Sequence, residues 1–158
     1  MASAGPAPEN QNVTVERIDQ LIALFNQKGM DLPAGLFDRA TQFLLNGSPY
    51  ETLLGRSPDD PLILMLARGP SGYRFIVKAL QHAVPDASIQ RGALDWRDEA
   101  AACGGEFWLM GRLRGSGNAI NVVIGFVLAF AQNGCVRQAA VTVDAETLAL
   151  LRAARLAP

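Results

Sequence analysis

The chain has 158 residues, 49% of them hydrophobic and 18% charged, which excludes wholesale disorder and predicts one folded domain. A formal net charge of −1 leaves no basic excess to neutralise phosphates, so nucleic acid and anionic membrane surfaces are poor partners. The longest apolar stretches, Pro61–Ala67 and Val122–Ala131, fall well short of the roughly 20 residues that cross a bilayer.

Residues Met1–Asn12 are small, polar and proline-bearing, and are expected to be a disordered tail preceding one domain over residues 13–158. They carry neither a basic n-region nor an apolar h-region, so no secretory signal is expected. Thr14 is a candidate N-cap for a first helix whose apolar positions are Ile18, Leu21, Ile22 and Phe25, with Gly29 at its stop. A second helix is predicted after Asp31, with Pro33 in its first turn, a stripe of Leu36, Phe37, Ala40, Phe43 and Leu44, and Gly47 at its end. Ser48-Pro49-Tyr50-Glu51 has capping-box spacing and predicts a short helical turn through Leu54. Pro61–Ala67 is a continuous apolar run of strand length and reads as the first strand; periodicity alone does not separate it from a buried helix. Gly69-Pro70-Ser71 opens a further helix marked by Tyr73, Ile76, Val77 and Leu80, ending before Pro85.

From Asp86 onward the pattern changes to sheet. Ser88–Trp96, Glu106–Arg114, Asn118–Ala131 and Cys135–Val143 are strand candidates. Asn133-Gly134 predicts a two-residue type I′ hairpin, because that turn needs positive φ at both positions. Asp144 caps a last helix, Ala145–Arg155. Helices first and strands together afterwards predict an α+β fold with a mostly antiparallel sheet.

Two stretches resemble the nuclear-transport-factor-2-like superfamily, which includes ketosteroid isomerases and SnoaL-like polyketide cyclases. The first is Phe130-Ala131-Gln132-Asn133-Gly134-Cys135-Val136, running on to Val143-Asp144-Ala145-Glu146-Thr147-Leu148. The second is Gly72-Tyr73-Arg74-Phe75-Ile76 with the exit Pro85-Asp86, similar to a G-x-x-x-I…P-D helix and its end. In element order the resemblance covers about Thr14 to Leu151. It implies a cystatin-like cone, in which a strongly curved sheet wraps around N-terminal helices and encloses a pocket. The family's polar catalytic positions map onto apolar residues here. The isomerases' aspartate base, in the first strand, falls at Leu64-Met65-Leu66. Their second aspartate falls at Phe126, counting back from Phe130 without gaps, and their helix-1 tyrosine falls near Phe25. The cyclases' His-Trp-Asp-like triplet corresponds to Ala139-Ala140-Val141.

Few residues remain as carriers of chemistry. His82, the only histidine, sits beside its helix's apolar stripe; it reads as a solvent-facing residue favoured by the helix C-terminus, with a pocket role as the alternative. Asp95, in the cluster Asp95-Trp96-Arg97-Asp98-Glu99, reads as part of a solvated strand end, or as a general base if the strand turns it inward. Trp108, Met110 and Arg112 share one strand face, with Phe107, Leu109 and Leu113 opposite. That face reads either as packing or as a ligand wall with Arg112 as anion or carbonyl anchor. Gly115-Ser116-Gly117 lacks the lysine and helix of a phosphate loop. Cys103 and Cys135 form no CxxC and no metal-ligand spacing, so a reduced, cytoplasmic protein without metal or cofactor is expected.

The reading is an apolar pocket lined by Phe25, Met65, Trp108, Met110 and Phe126. It would bind a small hydrophobic, polyketide-like molecule, and cyclise or isomerise it without an acid–base dyad. The alternatives are a non-catalytic dimeric ligand-binding or assembly module, or a conventional isomerase or dehydratase using Asp95 or His82. The strand Asn118–Ala131 is apolar on both faces, with Ile120, Val122, Ile124, Phe126, Leu128 and Phe130 on one and Val123, Val127 and Ala129 on the other. One face can line the cone, and the second predicts a homodimer through Val123, Val127 and Ala129.

Overall fold

The apolar stripe at Ile18, Leu21, Ile22 and Phe25 lies on helix α1, Pro8–Asn26, with Ile18 and Phe25 buried. The structure, a computed structural model, describes residues 8–29, 31–50, 67–97 and 101–157. Helix α1 starts six residues before Thr14, so Pro8–Asn12 is helical, and Thr14 is buried within the helix instead of capping it. A proline in the first helical turn loses no hydrogen bond, which lets the helix extend upstream to Pro8.

The helix expected after Asp31 is a strand, β1, Phe37–Leu45. Its residues fit both periods: Leu36, Phe37, Ala40, Phe43 and Leu44 suit a helix, whereas Thr41, Phe43 and Leu45 alternate as a strand. A non-local pairing decides between them. β1 runs parallel to the strand Val136–Thr142, with Phe43 opposite Ala139 and Leu45 opposite Val141. The Thr41 hydroxyl, fully buried, donates to the Val136 carbonyl. Tertiary pairing of this kind outweighs propensity differences of tenths of a kcal/mol per residue.

Asn46 and Gly47, with φ of 51° and 84°, then form a two-residue type I′ turn into β2, Ser48–Pro49, with Leu45 opposite Ser48. The Asn46 amide also extends the β1 ladder. Its Nδ2 donates to the Val143 carbonyl (2.9 Å) and its Oδ1 accepts from the Val143 N–H (2.8 Å). Asn46→Ala removes both bonds and puts an alanine at positive φ. It is expected to cost about 2–3 kcal/mol of unfolding free energy, measurable by urea denaturation. The capping-box helix beyond Tyr50 and the Pro61–Leu66 part of the expected first strand lie outside the described residues.

Helix α2, Gly69–Ala83, is where its stripe predicts, with Val77 buried and Tyr73 and Leu80 packed beside it. The expected strand Ser88–Trp96 is two strands, β3, Ser88–Arg91, and β4, Asp95–Arg97. Both pair antiparallel with β5, Ala102–Arg112. β5 begins before Glu106 because Gly104 and Gly105 lie within the ladder instead of bounding it. The Arg97 guanidinium and the Phe126 ring occupy the space where their side chains would be. β6, Ala119–Phe130, and β7, Val136–Thr142, form the expected antiparallel pair. Their connection is longer than two residues: the Ala131 N–H donates to the Cys135 carbonyl, and the Cys135 N–H to Asn133 Oδ1. The type I′ turn therefore falls at the other Asn-Gly pair. Helix α3, Ala145–Leu156, is capped by Asp144, whose carboxylate accepts from the Thr147 N–H (2.8 Å) and hydroxyl (2.9 Å). These bonds hold its carboxyl below the usual range.

Among the described residues the sheet has the order β2-β1-β7-β6-β5-β3, with β4 beside β5. The β1–β7 pair is parallel and the other pairs are antiparallel. The fold is α+β. Its sheet curves without closing, and α1 and α2 pack into the concave face, where Leu109, Ile124 and Phe43 are buried.

Candidate functional site

Between α1, α2 and the concave face lies a cavity of about 250 Å³. This is just below the roughly 300–1,000 Å³ usual for small-molecule sites. Helix α1 contributes Leu21, Ile22 and Phe25, and α2 contributes Tyr73, Ile76, Val77 and Leu80. The sheet contributes Phe43, Leu45, Phe107, Phe126 and Leu128. Period-two alternation positions these sheet residues: Phe107 pairs with Ile124 and Leu109 with Val122, both on the inner face.

Among the described lining residues only Tyr50, Tyr73 and Arg91 bring a polar side chain, and none is a carboxylate or an imidazole. Burial pushes the Tyr73 phenol up to about 12, so it is a neutral donor across the physiological range. Burial also raises the Tyr50 phenol, with Arg155 pulling the other way. Arg91 lies opposite Phe107 in register. Its Nε and Nη2 donate to the two carboxylate oxygens of Asp19 on α1, at 2.6 and 3.0 Å, and its Nη1 donates to the Gly92 carbonyl at 3.0 Å. The hydrogen bond to Asp19 raises the guanidinium's already high pKa.

Of the five expected lining residues, Phe25 and Phe126 line this cavity, and Met65 lies outside the described residues. Trp108 and Met110 require correction. They pair with Val123, which is 45% exposed, and with Asn121, on the convex face. Glu106 and Arg112 share that face by the same alternation, and two charges without buried partners cannot be turned into an apolar core. Phe107 and Leu109 point inward instead. Trp108 instead lines a more open depression of about 460 Å³ with Asp95, Arg97, Glu106 and Val127.

The three catalytic candidates are not brought together, and none lines the cavity. Asp95 is exposed and paired with Arg97 at 2.9 Å. His82 is exposed at the end of α2, where its backbone carbonyl accepts from Arg114 Nε (2.6 Å). Arg112 is exposed; its backbone N–H donates to Asp86 (2.7 Å) and its guanidinium to the Gly117 carbonyl (3.4 Å). Arg91 and the Tyr73 hydroxyl were missed by the sequence reading. Arg91 is two residues from Ile89, and that spacing places it on the inward face of β3.

Several solved structures share this arrangement of elements. One is a SnoaL-like polyketide cyclase from Agrobacterium tumefaciens, with a TM-score of 0.61 at 14% identity over 86% of this chain and 94% of that one. Another is an NTF2-like protein of unknown function from Exiguobacterium, with a TM-score of 0.59 at 15% identity over 82% of this chain and 98% of that one. A third is TerC, co-crystallised with polyporic acid, with a TM-score of 0.62 at 8% identity over 88% of this chain and 98% of that one.

The chain has the nuclear-transport-factor-2-like fold.

No family model and no curated protein matches the sequence. The position that the resemblance assigns to the isomerases' aspartate base, Leu64-Met65-Leu66, lies outside the described residues. Phe25, Phe126, Ala139 and Val141 present apolar side chains to the cavity, whereas Ala140 lies opposite Val127 in register, on the convex face. Among the described residues no group of three or more His, Cys, Asp or Glu could hold a metal ion. No described helix is long and apolar enough to cross a membrane.

Proposed function

We propose that this cavity binds a small hydrophobic, polyketide-like molecule and promotes its cyclisation or isomerisation by holding it in a reactive shape. The observation that carries the reading is the lining: aliphatic and aromatic side chains from two helices and the sheet, with two neutral phenols and one guanidinium as its polar groups. Such a wall desolvates an apolar ligand, and the Tyr73 hydroxyl, whose oxygen has no hydrogen-bond partner among the described residues, can donate to a ligand carbonyl. The exposed positions of Asp95, on the convex face, and His82, at the end of α2, favour this over a conventional acid–base isomerase. Two free thiols, Cys103 and Cys135, suit a reducing, cytoplasmic compartment.

Ala139 faces the cavity from β7 between Phe43 and Leu128 in register, so a large side chain there projects into the void. Ala139→Phe is expected to leave the fold intact while weakening the binding of an apolar fluorescent probe at least about tenfold. Unchanged probe affinity in a folded variant would place binding elsewhere. Turnover, where it is found, is expected to change little between about pH 6 and 8, because the lining has no group that titrates there unless strongly perturbed. A steep bell-shaped profile abolished by Asp95→Asn or His82→Ala would restore the acid–base reading.

A further inference from the structure

Arg91 is the one charged side chain among the described lining residues, and it sits where α1 meets β3. The plain role of its ion pair with Asp19 would be to hold α1 on the sheet. That role is already filled one helical stretch further on. Asn26 Nδ2 donates to the Ile89 carbonyl (3.0 Å) and Asn26 Oδ1 accepts from the Ile89 N–H (2.7 Å), which ties α1 to β3 without any charge. Asp19 is meanwhile a loosely held partner: its side chain is 51% exposed, against 25% for Arg91. An ion pair with one half-hydrated member contributes little stability and is readily exchanged. The Gly92 carbonyl keeps a third donor of the guanidinium in place while the Nε–Nη2 edge, the edge that matches a carboxylate, changes partner.

We propose that the ligand of this cavity is an amphipathic acid whose carboxylate, or an equivalent acidic oxygen pair, displaces Asp19 from Arg91 while its apolar body fills the space walled by Phe107 and Phe126. This rests on the cavity being the binding site, as argued above. A ligand seated against the rings drives water away from Arg91. A guanidinium so dried needs a geometrically matched anion, and a ligand acid supplies one from inside the cavity. A neutral ligand leaves Arg91 on Asp19 and gains nothing from it.

The experiment compares 2-naphthoate with its neutral isostere 2-naphthamide by calorimetry, at low salt, on the wild-type chain and on Asp19→Asn and Arg91→Gln. The acid is expected to bind wild type about tenfold tighter than the amide. Asp19→Asn removes the competing carboxylate, so acid affinity should rise several-fold with amide affinity unchanged. Arg91→Gln should abolish the preference. Asp19→Asn, at a half-exposed site, is the decisive variant should Arg91→Gln fail to fold. If both ligands bind alike, or if Asp19→Asn shifts both together as a merely structural pair would, the acid proposal is overturned while the cavity reading stands. If neither binds, the cavity reading falls and the acid proposal falls with it.

Discussion

Gly72→Ala is expected to lower the unfolding free energy by about 2–3 kcal/mol, and Gly72→Val by more. Gly72 lies in the first turn of α2, its N–H donating to the Arg68 carbonyl (3.1 Å). A β-carbon there would run into the Ala67 carbonyl group and stand 3.2 Å from the Phe43 ring. Helix propensity alone would favour alanine by about 1 kcal/mol. Overpacking costs about 1–3 kcal/mol and more where the obstacle cannot rotate away, and the Ala67 carbonyl is backbone. The clash therefore outweighs the propensity gain. For a domain of this size a net loss of 2–3 kcal/mol lowers Tm by about 5–10 °C. Thermal and urea denaturation would measure it; a change within 0.5 kcal/mol would mean that α2 and β1 relax freely around the site. This glycine opens the G-x-x-x-I stretch that carries part of the family resemblance, and its role here is close packing of the helix on the cavity wall.

Val127→Arg is expected to convert a homodimer of about 34 kDa, twice the 16.9 kDa chain, into a monomer. The homodimer is itself a proposal, and it rests on the convex face of β6. Val123, 45% exposed, and the half-buried Val127 and Ala129 project there, flanked by Trp108 and Met110 on β5. The described residues of the chain leave Val123 uncovered, and a two-fold partner would bury such a face against its own copy. At a two-fold interface each substitution appears twice. Burying an unpaired arginine costs about 3–5 kcal/mol, so dimer affinity should fall at least about a hundredfold. The monomer should remain folded, since the solvent-side position of Val127 lets the guanidinium stay hydrated. Light scattering at micromolar concentration reads both states, and wild type at 17 kDa would sink the dimer.

Much of the molecule was legible in the sequence wherever a pattern closes on itself locally. The stripe of Tyr73, Ile76, Val77 and Leu80 specifies α2, Asp144 caps α3, and alternation along β6 correctly separates Ile124, Phe126 and Leu128 from Val123 and Val127. In each case the hydrogen bonds or the face division lie within one element, so its residues suffice. Some signals were present and outcompeted. Asn46-Gly47 is as strong a type I′ pair as Asn133-Gly134, but the helical spacing of Leu36–Leu44 obscured it. Glu106 and Arg112 mark the outward face of β5, while Trp108 and Met110 on the same face give it the apolar look of a pocket wall.

The tertiary structure alone decided three things. Residues 37–45 became a strand because β7, nearly a hundred residues later, offered a parallel edge and an acceptor for Thr41. The inward face of β5 was chosen by what packs on it, since a strand presents both faces and only burial distinguishes them. Arg91 reached the cavity and Asp19 together because α1 and β3, 72 residues apart at this pair, meet at one rim of the cone. Local sequence determines which backbone conformations are cheap; which side chains share a space is set by contacts between distant segments, whose loop-closure cost is repaid only when the whole sheet forms.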